Sequence, residues 1–313
     1  MDSDLVVALA LLMTPGAGTM TVRRVMKAAD ALGTRLSALT ETPPRRLIDQ
    51  MPPGFTPITR ALAACSPDRI ENARRLLRRL ADAGAQALRY TDAGYPAALN
   101  RHLGDQAPPI VCALGDVNLL EARMAAVAGA RNVSPQGARL ATLCARALCE
   151  HGIPVVSGGA PGVDQAAHGA CLEHGGRTIA VLPQGLLTHR ASGEWREAIS
   201  DGRAVLISEF APDAAWLTHA AVTRNATISA LADMACIIEP RKTGGSIRTA
   251  RCTLAQGKPV ALYAPDGPDS PAATLTTAGA VPLLDSDNRF HAQRLLSLWE
   301  QGPQKRAAQT DLF

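Results

Sequence analysis

Three short stretches of this chain gather the residue types that hold an anion. Ala128-Gly129-Ala130-Arg131 follows an apolar run and ends it with a permanently charged guanidinium. Ser157-Gly158-Gly159-Ala160-Pro161-Gly162-Val163-Asp164 is a glycine-rich turn between an apolar run and an amphipathic stretch. Lys242-Thr243-Gly244-Gly245-Ser246-Ile247-Arg248-Thr249 repeats that placement and adds an ammonium group and hydroxyls. Glycines permit positive φ and close backbone approach, and a helix N-terminus favours an anion by about 0.3–1 kcal/mol. One such loop has a plainer explanation, because a tight strand-to-helix turn wants glycine anyway. Three of them, with Thr223-Arg224-Asn225 ahead of a further helix, describe a crevice lined for phosphate. The expected contacts are Arg131, Ser157, Gly158, Gly159, Gly162, Arg224, Asn225, Lys242, Gly244, Gly245, Ser246 and Thr249. The spacing is neither G-x-G-x-x-G nor G-x-x-x-x-G-K-[ST], which disfavours a dinucleotide-dependent redox enzyme and a P-loop NTPase.

Loops of this kind are carried by an open α/β sheet, whose ligands sit beyond the carboxyl ends of the strands. Short apolar runs at 124–128, 153–157, 178–182, 204–208, 235–239 and 259–263 predict strands. Between them, amphipathic stretches near 136–151, 164–174, 193–200, 223–233 and 246–256 predict helices. The alternation means βαβ units, hence a Rossmann-like, mostly parallel sheet, which a strand at 281–284 and a helix at 288–299 complete. The segment Tyr90–Asp116, with its short apolar run Ile110–Leu114, reads as a connector into that sheet.

Ahead of it, residues 1–88 read as a small helical domain. Leu5–Met13, the turn Thr14-Pro15-Gly16-Ala17-Gly18 and Thr21–Leu32 form a helix-hairpin-helix pattern, although Pro-Gly is also a common way to join two helices. Ser66 and Pro67 open a further helix as N-cap and N1, with Ile70, Ala73, Leu76, Leu77 and Leu80 on its buried stripe. Arg74, Arg75, Arg78 and Arg79 fall elsewhere on that helix and read as a solvated face. The expected division is a helical domain over 1–88, a Rossmann-like domain over 89–300 and a flexible tail over 301–313.

Composition narrows the function classes. With 47% hydrophobic and 19% charged residues over 313 positions, the chain is neither disordered nor fibrous. Aromatics at 3% argue against a surface built mainly of stacked rings. The net charge of +4 allows a polyanionic partner without demanding one. Only four of the 32 basic residues are lysines, a bias that suits phosphate recognition and equally follows from GC-rich coding. Seven cysteines with no C-x-x-C pair indicate no disulfide framework or zinc site and fit a reducing cytosol. The apolar run Leu5–Met13 is too short to span a bilayer and follows acidic residues, so a cytoplasmic protein with no membrane partner is expected.

The ordered set Asp92-x-x-Tyr95-Pro96-x-x-Leu99, Gly129-Ala130-Arg131, Ser157-Gly158-x-Ala160-x-Gly162-Val163-Asp164-x-x-Ala167-His168, Thr178–Leu182, Ser208-Glu209, Arg224-Asn225 and Gly245-Ser246-Ile247-x-Thr249-Ala250 resembles the DNA-processing protein A (DprA/Smf) family. The likeness runs from the helical N-terminal region to about residue 265. It implies a non-enzymatic protein that binds single-stranded DNA in its crevice, dimerises, and loads a recombinase onto incoming strands. Some positions depart from the family pattern. Pro161 stands where the family has an arginine in S-G-x-A-R-G-I-D, and Ala226 replaces the second arginine of R-N-R. The usual Tyr-Pro is missing from Leu186-Leu187-Thr188-His189-Arg190. Each lost arginine–phosphate contact would remove about 1.5–3 kcal/mol if it was made. The winged-helix domain that ends many members has no counterpart here; the sequence ends in Gln309-Thr310-Asp311-Leu312-Phe313. That pentapeptide resembles the Q-x-[DS]-L-F peptide with which bacterial proteins dock on the replicative sliding clamp. Gln309 and Asp311 would fix its register, and Leu312 and Phe313 would fill the groove.

Two other readings stay open at the level of sequence. Shortened, divergent relatives are similar to the immunity halves of toxin–antitoxin phage-defence pairs, in which a cognate toxin is the partner. Related Rossmann-like proteins hydrolyse nucleoside monophosphates with P-G-G-x-G-T-x-x-E, but here Thr249 is followed by Ala250 with no carboxylate nearby. Single residues have modest expected roles. Asp164 reads as a helix cap, His168 as a hydrogen-bonder in the pocket wall and Glu209 as a group that orients a neighbouring arginine. Asp164 and His168 share a helix face, but no third ligand accompanies them, so neither metal nor cofactor is expected. Ser157 has no histidine in an activating motif.

Overall fold

Every strand of the predicted parallel core alternates its side chains between two buried faces, which only a sheet covered by helices on both sides can satisfy. A computed structural model, which describes residues 2–41, 56–265 and 270–302, shows such a sheet. Its nine strands are β1 (Ala85–Arg89), β2 (Ile110–Gly115), β3 (Ala125–Gly129), β4 (Val155–Ser157), β5 (Thr178–Leu182), β6 (Ala204–Ser208), β7 (Met234–Ile238), β8 (Val260–Tyr263) and β9 (Val281–Pro282). They lie in the order β1-β2-β6-β5-β4-β3-β7-β8-β9. From β6 to β9 all neighbours are parallel, while β1 and β2 extend the β6 edge as antiparallel strands.

Residues 90–116 are therefore more than a connector: Ile110–Gly115 pairs with both β1 and β6. The predicted helix over 223–233 is two short helices, Thr218–Thr223 and Asn225–Leu231, broken at Arg224. The last helix lies at Ala292–Gln301, a few residues later than its periodicity suggests.

One face of the sheet carries Ala126, Val156, Ile179, Val181, Val205, Ile207, Ala235 and Ile237, covered by Asn225–Leu231 and by the helix Gly245–Ala255. The opposite face is shared. Ala125, Val127, Val155 and Cys236 pack under the helices Pro135–Glu150, Val163–Glu173 and Ala292–Gln301. Ile110, Cys112, Ala180, Leu182 and Leu206 pack under the N-terminal helices Ser3–Leu12, Thr19–Ala31 and Pro67–Asp82. Side-chain caps set several of these starts: Asp2 accepts from the amides of Asp4 and Leu5, Ser66 from Arg69 and Ser134 from Gly137. No helix among the described residues is long and apolar enough to cross a membrane.

Candidate anion-binding crevice

The chain lays β3, β4, β5 and β6 side by side in one direction, then returns to place β7 on the free side of β3. At such a reversal the connections leave on opposite faces, and a crevice opens over the carboxyl ends of the two strands. A cavity of about 310 Å³ lies there. Its walls come from four loops: Gly129–Asn132 after β3, Ala160 and Asp164 after β4, the break around Arg224, and Arg241–Ser246 after β7.

Arg224 is the buried member, only 3% exposed. Its guanidinium lies against the bare Cα of Gly158; a Cβ there would fall inside the guanidinium. Its Nη2 approaches Asp164 Oδ2 at 3.7 Å, an ion pair too long for a hydrogen bond, and Nη1 and Nε find no partner among the described residues. Burial pulls the Arg224 pKa down, the Asp164 charge raises it and the neighbouring Arg131 pulls it down further. Arg131 and Arg224 both line the cavity, so its wall carries two like charges that an anion placed there would offset.

The two glycine loops differ in what they leave open. At the first, Gly162 holds φ +84°, and a Cβ would run into the carbonyls of Ala130 and Arg131, so the turn needs glycine twice over. Here the Asp164 carboxylate itself accepts from the Ala160 amide at 3.2 Å. Burial raises the Asp164 pKa, which the Arg224 charge and backbone donors oppose. The loop's own carboxylate thus takes the place that an incoming phosphate would want. At the second loop, Gly244 is the N-cap of Gly245–Ala255 and no side chain caps that helix. Its first turn faces the cavity through Gly245 and Ser246.

The remaining predicted residues separate into lining and support. Arg131, Asn225, Gly244, Gly245 and Ser246 line the cavity, as does Arg224. Ser157 is buried below it and donates to the Val127 carbonyl at 2.5 Å. Thr249 is buried one turn into its helix, donating to Gly245 O at 3.2 Å. Gly158, Gly159 and Gly162 shape the first loop rather than line the cavity, and Lys242 lies on the exposed side of a loop whose Arg241 and Thr243 reach the wall.

His168 is away from the crevice. Thr178 gives its hydroxyl proton to the Val155 carbonyl, so His168 Nδ1 donates to Thr178 Oγ1 at 2.7 Å, and the imidazole meets Trp195 edge-on at 5.0 Å. Burial, aided by the Arg224 charge, holds its pKa at about 3. Glu209 is also buried. It accepts from Thr227 Oγ1 at 3.0 Å, has no hydrogen bond to an arginine among the described residues, and burial pushes its pKa up to about 7. Among the described residues, no group of three or more His, Cys, Asp or Glu could hold a metal ion. Gln309, Asp311, Leu312 and Phe313 lie outside the described residues.

Three residues gave no warning in the sequence. Glu239 adopts φ +50° directly before Pro240, a conformation rare for a side chain of its kind. Its carboxylate accepts from the Ser134 amide at 2.9 Å and from the Ser134 hydroxyl, tying the loop after β7 to the helix start after β3. Arg241 joins the cavity wall, and Trp216, two positions before the wall residue Thr218, stands exposed, its ring centre 5.6 Å from the guanidinium of the lining Arg131.

A doubly wound, mostly parallel α/β sheet with a crevice at its switch point defines the open α/β class, whose ligands sit over the strand ends. Within that class the chain belongs to the DNA recombination-mediator protein A family, whose sequence profile matches residues 86–288. Protein Smf of Escherichia coli is 37% identical over 156 residues, covering 49% of this chain and 42% of that protein. The DNA processing protein DprA of Streptococcus pneumoniae is 33% identical over 156 residues, covering 49% of this chain and 55% of the relative. These matched stretches span about half the length of the curated relatives. The X-ray structure of the Streptococcus pneumoniae protein superposes with a TM-score of 0.73 at 22% identity, covering 95% of this chain and 98% of that one. A structure of DNA processing protein A from Helicobacter pylori, described for its single-stranded DNA binding mode, gives a TM-score of 0.57 at 23% identity over 70% of this chain and 97% of that one.

Proposed function

We propose that this chain binds single-stranded DNA in the switch-point crevice as a non-enzymatic DNA-processing protein. The observation that carries the reading is Arg224: a buried guanidinium lining the cavity with two nitrogens unpartnered among the described residues. Arg131 and Arg241 flank it and form no ion pair among the described residues, and the uncapped start of Gly245–Ala255 completes a cradle for phosphate. Family membership and the single-stranded DNA binding of the Helicobacter pylori relative support the same ligand. With Asp164 filling the first glycine loop, the second loop is where a backbone phosphate would sit. The reading brings with it a homodimer and a recombinase as protein partners.

Fluorescence anisotropy of a labelled single-stranded oligonucleotide at several salt concentrations tests it. Binding should weaken with a log–log slope of about 0.7 per phosphate contacted, and the slope should shrink in Arg131→Ala and Arg241→Ala. Both side chains are exposed, so neither variant confuses loss of binding with loss of folding. No binding at low salt would overturn the proposal.

A further inference from the structure

Among the described residues only four large apolar side chains are exposed: Met20, Leu32, Trp216 and Leu217. Two of them are consecutive, and they immediately precede Thr218, which lines the cavity. Trp216 leaves 46% of its surface to solvent and Leu217 leaves 50%, whereas the other two tryptophans, Trp195 and Trp299, are partly covered and pack against the core. The indole is tied to the crevice through Arg131, whose guanidinium sits 5.6 Å from the ring centre. A flat apolar surface therefore stands next to a cation that belongs to the phosphate cradle.

We infer that Trp216 is a stacking platform for one base of a bound single strand, with Leu217 as its apolar edge and Arg131 as the hinge between base and phosphate. The inference rests on the proposed single-stranded ligand and adds to it a residue and a selectivity. A ring can stack on a base only when that base has left its own stack, so the platform favours single strands over duplex and tolerates any sequence. The charge of the cavity wall beside the patch favours a nucleic acid over a protein: its charged side chains are Arg131, Arg224 and Arg241 against one carboxylate, Asp164, which faces Arg224. An apolar docking surface for a protein more often has a mixed polar rim.

The experiment compares a labelled oligothymidylate with an oligonucleotide of equal length made of abasic sites, bound by the full chain and by Trp216→Ala and Trp216→Phe. Trp216→Ala should weaken oligothymidylate binding by roughly 5- to 100-fold while leaving the abasic strand unchanged. Trp216→Phe should recover most of the loss. The salt slope should stay as in wild type, because no phosphate contact is removed. Oligothymidylate should also quench the tryptophan fluorescence of the wild type more than that of Trp216→Ala. Equal binding of the two strands by wild type and Trp216→Ala would overturn the platform and leave the DNA reading standing, as would an equal loss on both strands. Failure of wild type to bind either strand would overturn both. Unchanged DNA binding in Trp216→Ala together with loss of a second protein's binding would reassign the patch to a protein partner.

Discussion

At Arg224 a full charge lies almost out of water, next to one carboxylate at 3.7 Å and against one glycine. Such a pair seldom repays the hydration it loses unless further donors and acceptors complete it, so the position depends closely on its neighbours. A methyl group at Gly158 occupies the space of the guanidinium. Gly158→Ala should expel it, lowering stability by about 1–3 kcal/mol and oligonucleotide affinity by tenfold or more. Gly169 offers a control in the interior of Val163–Glu173, where a Cβ would meet open space. Gly169→Ala should stabilise by about 0.5–1 kcal/mol and leave binding alone, and urea unfolding with anisotropy reads both. The placing of Arg131 after a strand and of Arg224 ahead of a helix, both at the cavity, was legible from residue type and spacing. The burial of Arg224 was not, because it follows from the missing side chain of a glycine 66 positions away, counting from Gly158 to Arg224.

The buried titrating groups at this scale oppose one another. His168 has its pKa held at about 3 against an ordinary 6.5, so between those values the unfolded chain binds more protons and stability falls as pH falls. His102, lowered to about 4 by burial, and His189, lowered by burial, act in the same direction. Glu209, raised to about 7 from 4.5, stays protonated where the unfolded chain has ionised, so its contribution is lost as pH rises through that window. Wild-type stability should therefore fall as pH falls from 6.5 to 4.5, but by less than the three histidines alone would give, because Glu209 opposes them. Glu209→Gln should uncover the histidine slope, steepening the loss on acidification across that window by up to about 1.4 kcal/mol per pH unit. Urea midpoints that stay level in that variant would contradict the assignment.

Among the elements, the alternation of apolar runs with amphipathic stretches was enough to place the parallel strands and most helices, because a strand buried on both faces leaves an uninterrupted apolar run. It fails at the sheet edge. Ala85-Gln86-Ala87-Leu88-Arg89 is too polar to stand out as an apolar run, and its place in the sheet comes from pairing with Ile110–Gly115. It fails again at Arg224, where two short helices meet and the Asn225 side chain donates back to the Ala221 carbonyl at 2.9 Å. The contact between Glu239 and Ser134 is likewise tertiary, joining residues 105 positions apart. Ser134 caps Pro135–Glu150 and binds the Glu239 carboxylate with both its amide and its hydroxyl. Ser134→Ala removes the cap and one of those donors, and should cost about 1–3 kcal/mol by chemical denaturation. Because it loosens the loop that carries Arg241, it should also weaken oligonucleotide binding, whereas Ser66→Ala, the equivalent change far from the crevice, should not.

Over the whole molecule, the N-terminal helices are part of the sheet's own core. Leu9, Leu11, Leu76 and Leu80, all buried, share one apolar cluster with Ile110, Leu182 and Leu206. Arg23 strengthens the junction: its Nη2 donates to Asn100 Oδ1 at 2.6 Å, its Nη1 to the Ala107 carbonyl at 3.3 Å, and its guanidinium covers the Tyr90 ring at 4.2 Å. The helices were evident in the sequence, but which face of the sheet they cover was not, since both faces of a doubly covered sheet are equally apolar. This arrangement predicts that the sheet cannot be separated from the helices that precede it. Deleting residues 2–84 uncovers Ile110, Leu182 and Leu206 together, and the shortened chain should aggregate or bind a hydrophobic dye in place of unfolding cooperatively. Arg23→Leu probes the same junction without removing the helices. It leaves Asn100 Oδ1 and the Ala107 carbonyl without their donor and should lower stability by about 2–4 kcal/mol. A deleted chain that stays monomeric, with the thermal midpoint of the full protein, would mean that the helices are an independent module and that the crevice is positioned by the sheet alone.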